Sequence, residues 1–328
     1  MRFSIHQFVH TALLMAMPIA IHAADKSDTF INAADAGPDF KIQGEYEGRI
    51  GKETKLGAHV IALGDGKFDA VLYAKGLPGA GWDGKKEATK VPLKGETKDG
   101  VVQFTGTNFT GSIKNGVFSG KGEDDIAFDL PRVERQSPTL GAKPPEGAIV
   151  LFDGSNTDAW TGGKLQDGNL LAVGPSTKQK FRNFSLHLEF RSPFMPKARG
   201  QGRGNSGMYL LDQYECQILD SFGLSGENNE CGGFYTLAKP AVNMCLPPLS
   251  WQTYDVDFTQ ATFDDAGKKI KGAIVTLRHN GVVIHDKLEL PKNTPGGHSN
   301  DESQPGALFL QDHGNPVHFR NIWIVEKK

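Results

Sequence analysis

The sequence predicts an all-β protein: a two-sheet β-sandwich preceded by a small antiparallel β domain. Three observations carry this. Phe184 to Arg191 alternates strictly, with Phe184, Leu186, Leu188 and Phe190 on one side and Ser185, His187, Glu189 and Arg191 on the other, the period of a strand. Asn280-Gly281 sits between two apolar runs, the strongest short hairpin signal. No segment shows the 3.6-residue period of an amphipathic helix of ordinary length, which leaves two packed sheets as the way to bury the apolar faces.

Residues 1–23 carry Arg2, a short apolar run around Leu13 to Ala20 and a small-residue end at Ala23-Ala24. This reads as a secretory signal peptide, because the run is too short to span a bilayer. The expected product is exported, periplasmic or extracellular, with no membrane anchor. Residues 24–38 read as an N-terminal linker. From 39 to 135 the chain is dense in Gly, with strand-like runs at Ala58–Leu63, Phe68–Tyr73, Val101–Phe104 and Gly116–Gly120, separated by turns such as Gly64-Asp65-Gly66 and Lys98-Asp99-Gly100. This is the small β domain. Its Trp82, in a Gly-rich loop, either folds back onto the sheet or offers an aromatic face to sugar. Residues 136–147, rich in Pro, form a stiff linker. The sandwich occupies 148–328, opening at Ile149–Phe152.

The 36 basic and 38 acidic residues give a formal charge of −2, without a basic cluster. Nucleic acid and anionic membranes are therefore poor partners, and a small neutral ligand fits better. Of three cysteines, Cys216 lies mid-strand as a core residue. Cys231 and Cys245 lie in loop-like sequence and are expected to pair in an oxidising compartment, a cross-link worth roughly 3 kcal/mol. No Cys-x-x-Cys occurs, which argues against a structural zinc.

Chemistry concentrates in two hairpin-like stretches, Asn205–Tyr209 into Tyr214–Asp220 and Leu310–Gly314 into Val317–Ile322. Register decides what they can do. With a two-residue Asp212-Gln213 loop, Glu215 lies opposite Leu210 and shares no face with Asn205, Gly207 and Tyr209; with one more loop residue, Glu215 and Gln217 join them. The second register collects a carboxylate, two amides and a phenol around Gly207, which would leave room for a ligand. A solvated sheet face is the plainer alternative. His313, before Gly314-Asn315-Pro316, can equally serve a turn; Arg320 shares strand parity with His318 and Ile322 and can equally cap the sheet; His187 and Arg191 read as solvated. The polar stretch His298 to Glu302 is either a lid or a solvated loop.

Taken together, Leu151–Gly154, Phe184–Arg191, Asn205–Tyr209, Tyr214–Asp220, Trp251, Asn280-Gly281, Leu310–Gly314 and Phe319–Ile324 resemble the 3-keto-disaccharide hydrolase domain, over about 147–328. The resemblance implies a concanavalin-like jelly roll in exported proteins that handle carbohydrate. It does not cover 39–135, and the insertion at Ser221 to Gly232 looks like a subgroup feature. In a 3-keto-glycoside the C2 hydrogen is acidic, so the chemistry requires a base, an electrophile for the enolate oxygen and an acid for the leaving group. The expected roles are Glu215 or His313 as base, Arg320 or a bound divalent metal ion as electrophile, and Glu189 as second acid or metal ligand. Asn205, Gln217, Gln311 and Tyr209 would hold the sugar. The metal itself is left open. The rivals are a lectin-like binding protein and an ordinary glycosidase using Glu189 and Glu215 as its carboxylate pair.

Overall fold

A computed structural model describes residues 28–82 and 90–327. The expected signal peptide lies outside the described residues, as does the end of the Trp82 loop. Eight antiparallel strands form the first unit: β1 (Gly44–Ile50), β2 (Thr54–Gly64), β3 (Lys67–Ala74), β4 (Lys90–Lys98), β5 (Val101–Gly106), β6 (Phe109–Lys114), β7 (Val117–Lys121) and β8 (Ala127–Val133). Because β1 pairs with β8, the sheet closes into a barrel and no edge is left open. Its interior is filled by Tyr46, Phe68, Phe104, Phe118 and Phe128. Trp82 is buried against Tyr73, with ring centroids 5.0 Å apart, so it is a packing residue and not an exposed sugar platform.

A short helix, α1 (Gly37–Ile42), precedes the barrel, and ahead of it Phe30 pairs with Phe194 through two 2.9 Å backbone bonds. Residues placed in the N-terminal linker are thus tied to the sandwich.

The sandwich strands are β9 (Ile149–Phe152), β10 (Trp160–Thr161), β11 (Leu165–Gln166), β12 (Leu170–Leu171), β13 (Ser176–Thr177), β14 (Phe184–Arg191), β15 (Ser206–Leu210) and β16 (Tyr214–Ile218). They continue with β17 (Gln252–Thr259), β18 (Thr262–Phe263), β19 (Lys269–Lys271), β20 (Ala273–His279), β21 (Val282–Leu290), β22 (Phe309–Leu310) and β23 (His318–Glu326). The smaller sheet runs β10-β13-β22-β15-β16; the larger runs β11-β12-β23-β14-β17-β20-β21, with β9 also on β23. Leu186, Leu188 and Phe190 of the larger sheet meet Met208, Leu210 and Cys216 of the smaller in one core. Asn280 and Gly281, both at positive φ, form the two-residue turn between β20 and β21, with His279 opposite Val282.

The Pro-rich segment is not a free spacer. It lies across the outer face of the larger sheet: Ser137 Oγ is 2.6 Å from Thr253 Oγ1, Thr139 Oγ1 donates to Asp255 at 2.6 Å, Gly141 N–H donates to Glu189 at 2.6 Å, and Ala142 O accepts from Asn321 Nδ2. His187, expected to be solvated, is buried beneath this cover, stacked on Trp323 at 5.2 Å.

Cys216, Cys231 and Cys245 are all buried free thiols. Cys231 and Cys245, expected to form a disulfide, are free thiols here whose side chains lie within hydrogen-bonding reach of each other. Cys231 Sγ also lies 3.2 Å from Tyr254 Oη, and Cys245 Sγ approaches the carbonyls of Leu219 and Leu246, so the loop sequence delivers both thiols into the core.

Candidate active site

The hairpin β15–β16 has a three-residue loop. Leu210 is opposite Tyr214, so Leu211, Asp212 and Gln213 make the turn, with Leu211 and Asp212 at φ of 54° and 60°. That register sets Tyr209 opposite Glu215 and Gly207 opposite Gln217, while Met208, Cys216, Leu210 and Tyr214 face the core. Glu215, Gln217 and Tyr209 therefore share the outer face of the smaller sheet.

Glu215 Oε2 accepts a 2.9 Å hydrogen bond from Tyr209 Oη, and Gln311 Nε2 donates to the same phenol at 3.1 Å. The glycine opposite does not hold space open for a ligand: a Cβ on Gly207 would lie 2.5 Å from Glu215 Oε1 and 3.0 Å from Gln311 Oε1, so those two side chains already fill the position. Ser206 Oγ and Gln311 N–H, bonded to Gln311 O and Gly207 O, lock β22 beside β15. Gln217 Nε2 donates to Gln201 Oε1 at 3.0 Å, and Asn205 Nδ2 donates to Gln201 O at 2.7 Å. Among the described residues, the Oδ1 of Asn205 and the Oε1 of Gln311 are buried acceptors without a donor. Such acceptors suit ligand hydroxyls.

The face is roofed. Tyr209 Oη is 2.9 Å from Pro295 O, Glu215 N–H donates to Thr294 Oγ1, and Asn229 O takes a donor from Gln201. The stretch expected as lid or solvated loop is anchored in part: Ser299 N–H and His298 N–H reach Asp212, and Glu302 is bonded to Tyr214. Glu215 is left 3% exposed. Burial pushes its carboxyl up to about 7 against the lowering effect of the Tyr209 hydrogen bond. Burial also pushes the Tyr209 phenol well up, so it stays protonated beside that carboxylate. His313 is exposed in the turn after Gln311.

Glu189 and Arg320 do not belong to this group, contrary to expectation. Both lie on the outer face of the larger sheet, across the core from Glu215. β14 and β23 belong to the other sheet, and a bulge in β23 turns Arg320 to its outer face: Phe319 pairs with Phe190 and Arg320 with Glu189, but the register shifts at Asn321, whose φ is 44°, before Trp323 pairs with His187. Parity with Ile322, which faces the core, is thereby broken. Glu189 accepts from Gly141 N–H, from Asn321 Nδ2 at 2.9 Å and from Arg320 Nε at 2.7 Å, with His187 Nε2 at 3.4 Å. Burial would raise its carboxyl, but these hydrogen bonds outweigh it and hold the group down at about 2. Burial likewise opposes charge on His187, yet Asp255 at 2.6 Å and Glu189 hold the imidazolium up to about 9. A cavity of about 600 Å³ opens here. Glu215 differs from Glu189 in that its carboxyl is raised towards neutral pH and not held ionised.

A divalent-ion site does not fit at Glu215: among the described residues no three His, Cys, Asp or Glu side chains are arranged to hold a metal ion, and the neighbours of Glu215 are a phenol and amides. Gln201, Asn229, Thr294 and Pro295 had no signal in the sequence, since they reach the site from loops without a periodic pattern.

Residues 147–325 match the 3-keto-alpha-glucoside-1,2-lyase-like domain. The chain belongs to that family. The match takes in both hairpins of the lyase-like domain and leaves the barrel outside it. A candidate glycosyl hydrolase of known structure from Parabacteroides distasonis ATCC 8503 is 34% identical, over 56% of this chain and 85% of its own, with a TM-score of 0.51. A second from the same organism is 19% identical, over 56% and 95%, with a TM-score of 0.42. No curated protein matches the chain.

Proposed function

We propose that the lyase-like domain is a carbohydrate-active hydrolase that cleaves 3-keto-glycosides by elimination followed by hydration, in an exported protein. The observation that carries this reading is Glu215: a buried carboxyl near pH 7, bonded to a protonated phenol, on a face that also carries two unsatisfied amide oxygens. Glu215 takes the C2 proton, the electrons move through C2 towards the 3-keto oxygen, and the C1–O bond breaks as the leaving group gains a proton. Once protonated, Glu215 no longer needs the Tyr209 hydroxyl, which becomes free to donate to the enolate oxygen. Asn205 and Gln311 accept from sugar hydroxyls, and His313, in the exposed turn after Gln311, protonates the leaving group. Water then adds across C1 and C2, with Glu215 returning its proton to C2.

The ordinary glycosidase reading lacks its second carboxylate, because Glu189 is across the core and fixed in its ionised form. The test is incubation with a 3-keto-disaccharide and with its unoxidised parent. Only the oxidised sugar should be cleaved, with C2 deuterium exchanged or rate-limiting. Cleavage of the parent with C2 deuterium retained, or binding of either sugar without turnover, would refute the elimination.

A further inference from the structure

The cavity behind the larger sheet is not used by this chemistry. Its walls are Glu189, Arg320 and Asn321 from the sheet, Lys143 from the docked Pro-rich segment, and Asp153 and Asn169 from neighbouring turns. Arg320 is fixed on two sides: Nε is bonded to Glu189, and the guanidinium lies 4.0 Å from the Trp251 ring centroid. Among the described residues no acceptor takes its Nη hydrogens. Lys143 is exposed and forms no ion pair among the described residues. Glu189, by contrast, has donors on both oxygens, and one oxygen of Asp153 is held by Ser155. The groups left free for a ligand are thus weighted towards cationic donors, with an amide and a single carboxylate oxygen beside them.

We propose that this cavity is a second ligand site that takes a sugar-sized carboxylate, a uronate, with its carboxylate between Arg320 and Lys143 and its hydroxyls towards Asn169 and Asp153. A guanidinium held by an ion pair and an aromatic face is pre-organised for bidentate carboxylate binding. The volume of about 600 Å³ is that of a small-molecule site. The carboxylate adds no uncompensated charge, because Lys143 brings a positive charge that no carboxylate among the described residues neutralises.

The test is calorimetric titration of the full chain with glucuronate, glucose and acetate, with Trp251 fluorescence as a second readout of Arg320. Glucuronate should saturate, at least about tenfold more tightly than glucose or acetate, and weaken with salt. Lys143→Met should cost about tenfold or more in glucuronate affinity while sparing turnover of a 3-keto-glycoside. Arg320→Lys, which keeps a charge for Glu189 but loses the fork, should do the same to affinity with the melting temperature followed in parallel. Glu215→Gln should leave glucuronate binding unchanged. Equal binding of glucose, equal binding of acetate, loss of binding in Glu215→Gln with retention in Lys143→Met, or no saturation in the millimolar range would each overturn the site.

Discussion

Glu215 is costly to the fold once ionised, and this gives two separable predictions. Its carboxyl is raised from 4.5 to about 7, so the stability it contributes is present below about pH 4.5 and is lost as pH rises through about 7. Glu215→Gln should therefore gain in stability relative to the native protein on going from pH 5 to pH 8, by up to about 3 kcal/mol, read from chemical unfolding at each pH. The same variant should lose about 10² to 10⁴-fold in turnover of a 3-keto-glycoside. A variant less stable at pH 8 than at pH 5, relative to native, would contradict the raised carboxyl. Tyr209→Phe removes the one hydrogen bond that lowers Glu215. The acidic limb of its pH–rate profile should move to higher pH, and an unmoved limb would show that Glu215 is not the group being titrated. At this scale the sequence was readable where residue type and spacing coincide. Glu215, Gln217 and Tyr209 share a face as one of the two registers anticipated. The space over Gly207 was not readable, since its occupation by Glu215 and Gln311 depends on rotamers and on a partner strand about a hundred residues away in sequence.

Among the elements, the clamp between the Pro-rich segment and the larger sheet has a definite pH window. Glu189 is lowered to about 2, so its contribution is present above about pH 4.5 and is lost as pH falls towards 2; His187 is raised to about 9, so its contribution is present below about pH 6.5 and is lost as pH rises through 9. The clamp should be tightest between about pH 4.5 and 6.5. Hydrogen exchange at Gly141 N–H, which donates to Glu189, should be most protected in that window after correction for the intrinsic rate. Glu189→Gln should abolish the acidic side of the window, while Asp255 retains part of the alkaline side through His187. Protection that is flat across pH 4 to 9 in the native chain would rule the clamp out. Alternation in β14 was legible and so was the Asn280-Gly281 turn, because both are local. The face taken by Arg320 was not, because a single bulge at Asn321 inverts the parity on which the reading relied. Nor was the burial of His187, which depends on a segment that carries no strand pattern.

Across the whole molecule, the barrel is fastened to the hairpin that holds Glu215. Arg203, just before β15, binds Asp220, just after β16, at 2.6 Å, and reaches Ala62 O and Gln43 Oε1 of the barrel side at 3.5 Å. Next to it Phe222 stacks on His59 with centroids 4.3 Å apart, and Glu45 is paired with Arg135 and His59. Arg203→Ala strands a buried Asp220 and should cost about 3–5 kcal/mol of stability. Arg203→Lys should retain more of it, and turnover should fall in both variants through displacement of the hairpin. Full activity in an Arg203→Ala protein that is measurably destabilised would sever the barrel from the site. Composition and turn spacing announced two β units, but their contact surface has no periodic trace in sequence. The covered face of the larger sheet bears on descent as well as on stability. The family match begins at residue 147, after the segment that supplies Gly141 N–H and Ala142 O to Glu189 and Asn321. A relative without that segment inherits a buried acid, imidazole and amide with nothing over them. Gain of the barrel and choice of residues at 187, 189 and 321 should therefore have changed together, and aligned relatives with and without the leading segment should fall into two residue sets at these positions.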